Sequence, residues 1–317
     1  MKKGTSFGYV LLLILVFSKT AGAQYTEPLE TDSYLNQSKL LLDSYTYFGS
    51  TKTWFNKDDG SLLVYDKIND TIDTIATLHS GFFEATNTGF YIYGDALSFV
   101  NIQENKIFPV NWNNADEFIQ YFKLIHSNKA VLLVFSAMRP EYYLLDLKTT
   151  QSKPIRNPDP YENPIGIETI GDQIFMASTH TIHSTLLESG KWIKLAEKSS
   201  DTGDFNHITA SDKEVFLSSE NGIIFRFDGN NPTTELTKLS SVPPFDISIF
   251  ESSKRGTLAI GFENRIAVYN PSVKNWVEIP ADKLTFLKGS IRKISFVDDK
   301  TLLITTGQSF GLVSIRD

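Results

Sequence analysis

The residues of this chain whose types and spacing could support chemistry fall into four small groups. Gly307-Gln308-Ser309-Phe310-Gly311 has the form of a nucleophile elbow, in which a strained turn holds a serine hydroxyl beneath an oxyanion hole. Only six residues follow it and none is a histidine, so no base lies downstream, and a tight turn between two strands accounts for both glycines. His180 and His183 flank Thr181-Ile182 and could share a metal, but an offset of three puts them on opposite faces of a continuous strand. They read as a solvated turn pair. Asn56-Lys57-Asp58-Asp59-Gly60 offers oxygens in the manner of a calcium loop, yet it lacks the bidentate glutamate and the alternating register, and it reads as a hairpin turn. The fourth group is Asp246 with His207, an acid and a base that would form a pair if the fold brought them together. Cysteine is absent, which removes thiolate chemistry, disulfides and an acylated cysteine anchor. No metal and no cofactor is expected.

The elements that must position these residues are strands. Valine, isoleucine, tyrosine, phenylalanine, threonine and leucine gather in runs of four to seven residues bounded by Gly, Asn, Asp, Pro or Ser. Glu214 to Ser219, the turn Glu220-Asn221-Gly222 and Ile223 to Asp228 form the clearest unit, and Asn-Gly predicts a type I′ hairpin there. Seven apolar runs end in an acid or amide, at Asp66, Asn101, Asp146, Glu188, Asp228, Asn270 and Asp317, with a mean spacing of about 42 residues. That is the period of a four-stranded propeller blade. The expected fold is all-β, a single seven-bladed β-propeller of four-stranded antiparallel blades.

The last unit stops one strand short, so a segment within 24–35 is expected to supply the missing strand and close the ring. The expected innermost strands begin near Leu40, Phe82, Glu117, Ile165, His207, Phe245 and Ile291. The third is ambiguous, because Phe118, Phe122 and Ile125 also fit a short helix. Trp54, Trp112, Trp192 and Trp276 sit at or near strand starts and are expected in the core.

Residues 1–23 have a basic start at Lys2 and Lys3, an apolar stretch from Tyr9 to Phe17 and the small-residue ending Ala21-Gly22-Ala23, the pattern of a cleaved secretory signal. The mature domain would then be 24–317, secreted or periplasmic, and no segment is long and apolar enough to span a bilayer. Three lysines leave with the signal, taking the 30 basic residues to 27 against 37 acidic ones. Such a balance, with no basic cluster, argues against nucleic acid and anionic membranes as partners.

Asn221-Gly222-Ile223-Ile224-Phe225-Arg226-Phe227-Asp228 resembles the Asn-Gly-Leu-x-x-Tyr-Asp core of the two-component regulator propeller repeats of exported bacterial sensors, and residues 212–219 take the place of that family's preceding strand. The resemblance implies a propeller and, by analogy, a sensory role. On a propeller, function gathers in the channel or on the loop face, formed by the loops leading into innermost strands and the turns between second and third strands. Arg139, Asn206, His207, Asp246, Arg265 and Arg292 map there as ligand-binding candidates, and none is assigned as catalytic. The leading expectation is a non-enzymatic exported monomer that binds a protein or glycan through this face, with cell-envelope assembly as one setting for it. The alternatives are a channel hydrolase or lyase acting on a carbohydrate or lactone, with Asp246, His207 and Arg292 as its residues, and a sensory ligand-binding module acting in trans.

Overall fold

The computed structural model describes residues 45–48, 52–56, 60–66, 68–69, 71–77, 81–112, 117–126, 128–136, 139–228, 237–241, 249–262, 265–271, 275–284, 289–306 and 310–315. Blade one holds β1 (Tyr45–Phe48), β2 (Lys52–Asn56), β3 (Ser61–Asp66) and β4 (Thr71–Thr77). Blade two holds β5 (Gly81–Ala85), β6 (Gly89–Gly94), β7 (Leu97–Asn101) and β8 (Lys106–Pro109). Blade three holds β9 (Phe118–His126), β10 (Lys129–Ser136), β11 (Arg139–Asp146) and β12 (Ser152–Ile155). Blade four holds β13 (Pro164–Ile170), β14 (Gln173–Ser178), β15 (Thr181–Leu186) and β16 (Ile193–Glu197). Blade five holds β17 (Phe205–Ala210), β18 (Glu214–Ser219), β19 (Ile223–Asp228) and β20 (Thr237–Ser241). Blade six holds β21 (Ile249–Ser252), β22 (Leu258–Phe262), β23 (Arg265–Asn270) and β24 (Asn275–Pro280). Blade seven holds β25 (Ile291–Asp298), β26 (Thr301–Thr306) and β27 (Phe310–Ser314). Every sheet is an antiparallel meander in chain order.

Burial grades outward within each blade. The second strands β6, β14 and β22 are buried at every position, because a neighbouring blade covers each face of the sheet. The fourth strands β4, β8 and β16 are half-buried or exposed throughout, and their polar side chains protect a free edge from further pairing. Among the described residues the core is seven clusters, one at each junction between consecutive blades. Phe55, Leu63 and Tyr65 of blade one pack with Leu303 of blade seven, so the ring closes on itself. A fourth strand for blade seven from 24–35 lies outside the described residues, as do Asp246 and Gly307 to Ser309.

Three local expectations are sharpened. The third innermost strand is a strand, not a helix, and its three-residue rhythm has a cause. Gln120 and Ile125 are skipped in its pairing with β10, and each bulge shifts the alternation by one, leaving Ile119, Phe122 and Ile125 buried. The turn at Glu220-Asn221-Gly222 is not type I′: Gly222 alone has a left-handed φ of 69°, and its N–H donates to the Ser219 carbonyl at 2.9 Å, so this is a three-residue connection ended by a glycine. Among the described residues the recurrent acid or amide makes an Asx turn at Asp66, Asn101 and Asp146. One side-chain oxygen of Asp66, Asn101 and Asp146 accepts two backbone N–H groups each, from Ile68 and Asn69, Gln103 and Glu104, and Lys148 and Thr149.

Trp54 and Trp112 are core residues, at 3% and 4% exposure. Trp276 lies 5.3 Å from the Tyr269 ring. Trp192 packs against the junction of blades three and four and donates its indole N–H to the Arg156 carbonyl at 2.6 Å.

Candidate functional site

The first strand of each blade is innermost, since β9, β13, β17, β21 and β25 contact one another in sequence around the axis. Four of these strands open with the same irregularity. Gln120, Ile165, Asn206 and Arg292 are each skipped in the pairing with the second strand, so an extra residue bends the strand where it leaves the loop face. Below the bend the pattern repeats. Phe122, Ile167, Ile208, Phe250 and Ile294 pack toward the preceding blade, and the residue after each is polar. Cross-strand register sets Glu84 opposite Tyr91, Lys123 opposite Val131, Glu168 opposite Phe175, Thr209 opposite Phe216, Glu251 opposite Ala259 and Ser295 opposite Leu303. All six partners pack toward the following blade, so the six polar residues share one level of the ring, and all but the buried Thr209 line the channel.

The channel has a volume of 630 Å³, and its wall includes Glu84, Lys123, Glu168 and Glu251, with Lys293 two residues above the ring. Phe82, Tyr93, Tyr121 and Phe296 supply aromatic surface. Lys123 Nζ lies 3.3 Å from Glu168 Oε1 and 3.6 Å from Glu84 Oε2, which ties the inner strands of blades two, three and four through one ammonium. These three side chains are 30%, 13% and 19% exposed, sheltered enough for their charges to interact strongly. Further inter-blade bonds brace the ring: Tyr121 Oη donates to the Ile165 carbonyl, Thr169 Oγ1 to the Leu124 carbonyl, both at 2.8 Å, and Thr209 and Ser252 share a hydroxyl hydrogen bond at 3.1 Å.

Charge in the ring is unbalanced. Burial alone would lower Lys123, but Glu168, Glu84 and Glu251 outweigh it and hold the ammonium firmly charged. Burial raises Glu168 to about 7, with repulsion from Glu84 and Glu251 adding to it and attraction to Lys123 opposing it. Burial also raises Glu251, against the pull of Lys293 and Lys123, and lowers Lys293, against the pull of Glu251 and Glu84. Three carboxylates share two ammonium groups, and the surplus carboxyl retains its proton near neutral pH.

Of the candidates read from sequence, Asn206 and Arg292 occupy bulge positions, the first half-buried and the second exposed. His207 is half-buried, its ring 6.4 Å from that of Phe250. Arg139 is exposed at the β10–β11 turn. Arg265 lies at the β22–β23 turn with Nη1 3.5 Å from Glu278 Oε2 and its guanidinium 4.7 Å from the Phe262 ring centroid. The three arginines belong to blades three, six and seven and Asn206 and His207 to blade five; Asp246 lies outside the described residues. The expected solvated turn pair holds only for His180, which precedes β15 and has Nδ1 2.6 Å from Glu162 Oε2; His183 is a half-buried residue of β15 opposite Met176 of β14, since the strand starts at Thr181. The channel charges escaped sequence reasoning because they lie mid-strand, and their signal was an apolar residue followed by a polar one in consecutive inner strands.

The loop face carries a second feature. The segment 156–163, leading into β13, is tied down along its length. Asn157 Nδ2 donates to the Pro140 carbonyl at 3.1 Å, Thr181 Oγ1 to Asp159 Oδ2 at 3.0 Å, and Thr179 N to the Asn163 carbonyl at 3.0 Å, besides the His180–Glu162 contact. Tyr161, in the middle, is 94% exposed. Phe118 and Phe135, paired across β9 and β10 at the same face, are also exposed.

No protein-family model matches the chain, and no curated protein sequence does. Solved structures share the fold. The extracellular domain of a B. thetaiotaomicron protein described as a hybrid two component system superposes with a TM-score of 0.65 at 15% identity, over 92% of this chain and 39% of that one. A second structure of the same B. thetaiotaomicron protein, described there as the extracellular domain of a one component system, gives 0.64 at 14% identity, over 91% and 39%. The computationally designed Ika8 protein gives 0.59 at 11% identity, over 86% and 98%. The chain therefore spans about two fifths of the length of that natural neighbour, and all three structures share its fold.

Proposed function

We propose that this protein is an exported, non-enzymatic propeller that recognises a protein or glycan partner through its loop face. The supporting observation is the segment 156–163, fixed to Pro140, Thr179, His180 and Thr181 while displaying Tyr161 to solvent. An aromatic held out on a pinned loop makes contact area at little cost in conformational entropy, which is how recognition surfaces use tyrosine. Arg139 and the Phe118–Phe135 pair extend the same face. Export rests on the signal-like residues 1–23, and among the described residues no helix is long and apolar enough to cross a membrane. The test is capture from cell-envelope extract by the wild-type protein and by Tyr161→Ala. The expected result is a specific partner whose recovery falls at least tenfold in the variant, with an unchanged melting temperature. Equal recovery by both proteins, or no recovery together with hydrolase or lyase turnover, would refute the reading.

A sensory module acting in trans is the second reading, favoured by the extracellular-domain neighbours and by a channel large enough for a small ligand. A channel hydrolase would depend on Glu168, whose proton is held near neutrality as a general acid requires.

A further inference from the structure

The channel ring is built for a kind of occupant that its own composition defines. Lys123 serves Glu84 and Glu168 together, one ammonium for two carboxylates, and on the far side Glu251 and Lys293 balance each other electrostatically. Lys254 also borders the cavity, but it stands exposed at the end of β21, where water screens its charge. The sheltered half of the channel between β5, β9 and β13 therefore carries one negative charge too many. Phe82, Tyr93 and Tyr121 line that half, and aromatic faces attract cations. An anion entering here would meet Glu84 and Glu168 against the single ammonium of Lys123. A metal ion is poorly suited, because among the described residues no three acidic or imidazole side chains converge closely enough to ligate one. The volume of 630 Å³ lies within the range of small-molecule sites.

We propose that the central channel binds a small organic cation, a primary amine or quaternary ammonium compound with a short apolar body, whose charge sits beside Glu84 and Glu168 and whose body lies against Phe82, Tyr93 and Tyr121. In the empty channel a proton on Glu168 occupies the electrostatic place of that cation. The groups facing Glu168 are Lys123 from β9, Glu84 from β5, Glu251 from β21 and Lys293 from β25. An incoming cation favours the ionised carboxylate, so binding releases a proton and tightens as pH rises through about 7. The site is distinct from the Tyr161 loop, and the proposal stands or falls independently of the partner reading.

Titration calorimetry with 1,4-diaminobutane and choline as cations, 1,4-butanediol as the neutral isostere and succinate as the anion tests this. The expected result is saturable binding of at least one cation and of neither control, at least tenfold tighter at pH 8 than at pH 5.5. Runs at pH 7 in buffers of different ionisation enthalpy should show net proton release. Glu168→Gln, nearly isosteric, should weaken cation binding at least tenfold and abolish the proton release, Glu84→Gln should weaken it similarly, and Tyr161→Ala should leave it unchanged. If Glu168→Gln fails to fold, the pH series and proton count on the wild type carry the test. Preferential binding of succinate, cation binding without pH dependence or proton release, or no binding of either cation at 10 mM (about tenfold above a 1 mM dissociation constant) would overturn the proposal.

Discussion

Replacing Glu168 with glutamine removes one titration from the channel while keeping the shape of the side chain, and the consequence for stability can be worked out in advance. The carboxyl moves from 4.5 in a reference chain to about 7 in the folded protein. A folded-state pKa above the unfolded one means that the native protein holds this proton more tightly. The resulting stabilisation is fully present below pH 4.5 and is lost as pH rises through 7. Each tenfold gain in proton affinity is worth about 1.4 kcal/mol, so the complete loss amounts to about 3 kcal/mol. Urea unfolding of both proteins from pH 5 to pH 8.5 gives the measurement, and the difference between them is the quantity to follow. His183, lowered by burial, destabilises both proteins alike on the acid side and so cancels in that difference. The variant should gain about 2–3 kcal/mol relative to wild type across this range. A difference that stays constant to within about 0.5 kcal/mol would refute the charge imbalance in the ring.

Lys123→Met leaves Glu84 and Glu168 facing each other without their shared ammonium; chemical unfolding at pH 8 should show a loss of about 3 kcal/mol, with a smaller loss at pH 5, where Glu168 is protonated. Gly166→Ala would put a methyl carbon 2.6 Å from Ile208 Cγ2, wedging blade four from blade five at the channel wall; a cost of about 1–3 kcal/mol is expected in the same assay, and a neutral result would mean the blades can slide apart freely. Phe216→Ala empties the junction of blades five and six, where Phe216 is fully buried among Ile224, Phe250 and Leu258, and should cost about 3–5 kcal/mol in equilibrium unfolding.

Much of the architecture was legible in the sequence because propeller blades repeat a local grammar. A hairpin's apolar run, turn and apolar run are all written within about 20 residues, and the acid or amide at Asp66, Asn101 and Asp146 marks the turn that follows the third strand by capping its backbone N–H groups. Each predicted innermost strand whose residues are described was found within a few residues of its expected place. The bulges at Gln120, Ile165, Asn206 and Arg292 were not legible, since an extra residue leaves no mark on composition. Nor was the type of the Asn221-Gly222 turn, where a backbone preference of asparagine was available but unused.

By itself, the sequence determined what depends on neighbours along the chain: strand positions, blade period, the buried second strands and the charge balance. The tertiary structure alone decided the channel. Glu84, Lys123, Glu168, Glu251 and Lys293 are spread over more than 200 residues, and each looks like an ordinary polar position in a half-exposed strand. Only closure of the ring brings them around a shared, sheltered space, and electrostatic coupling depends on distance and dielectric, which sequence spacing does not encode.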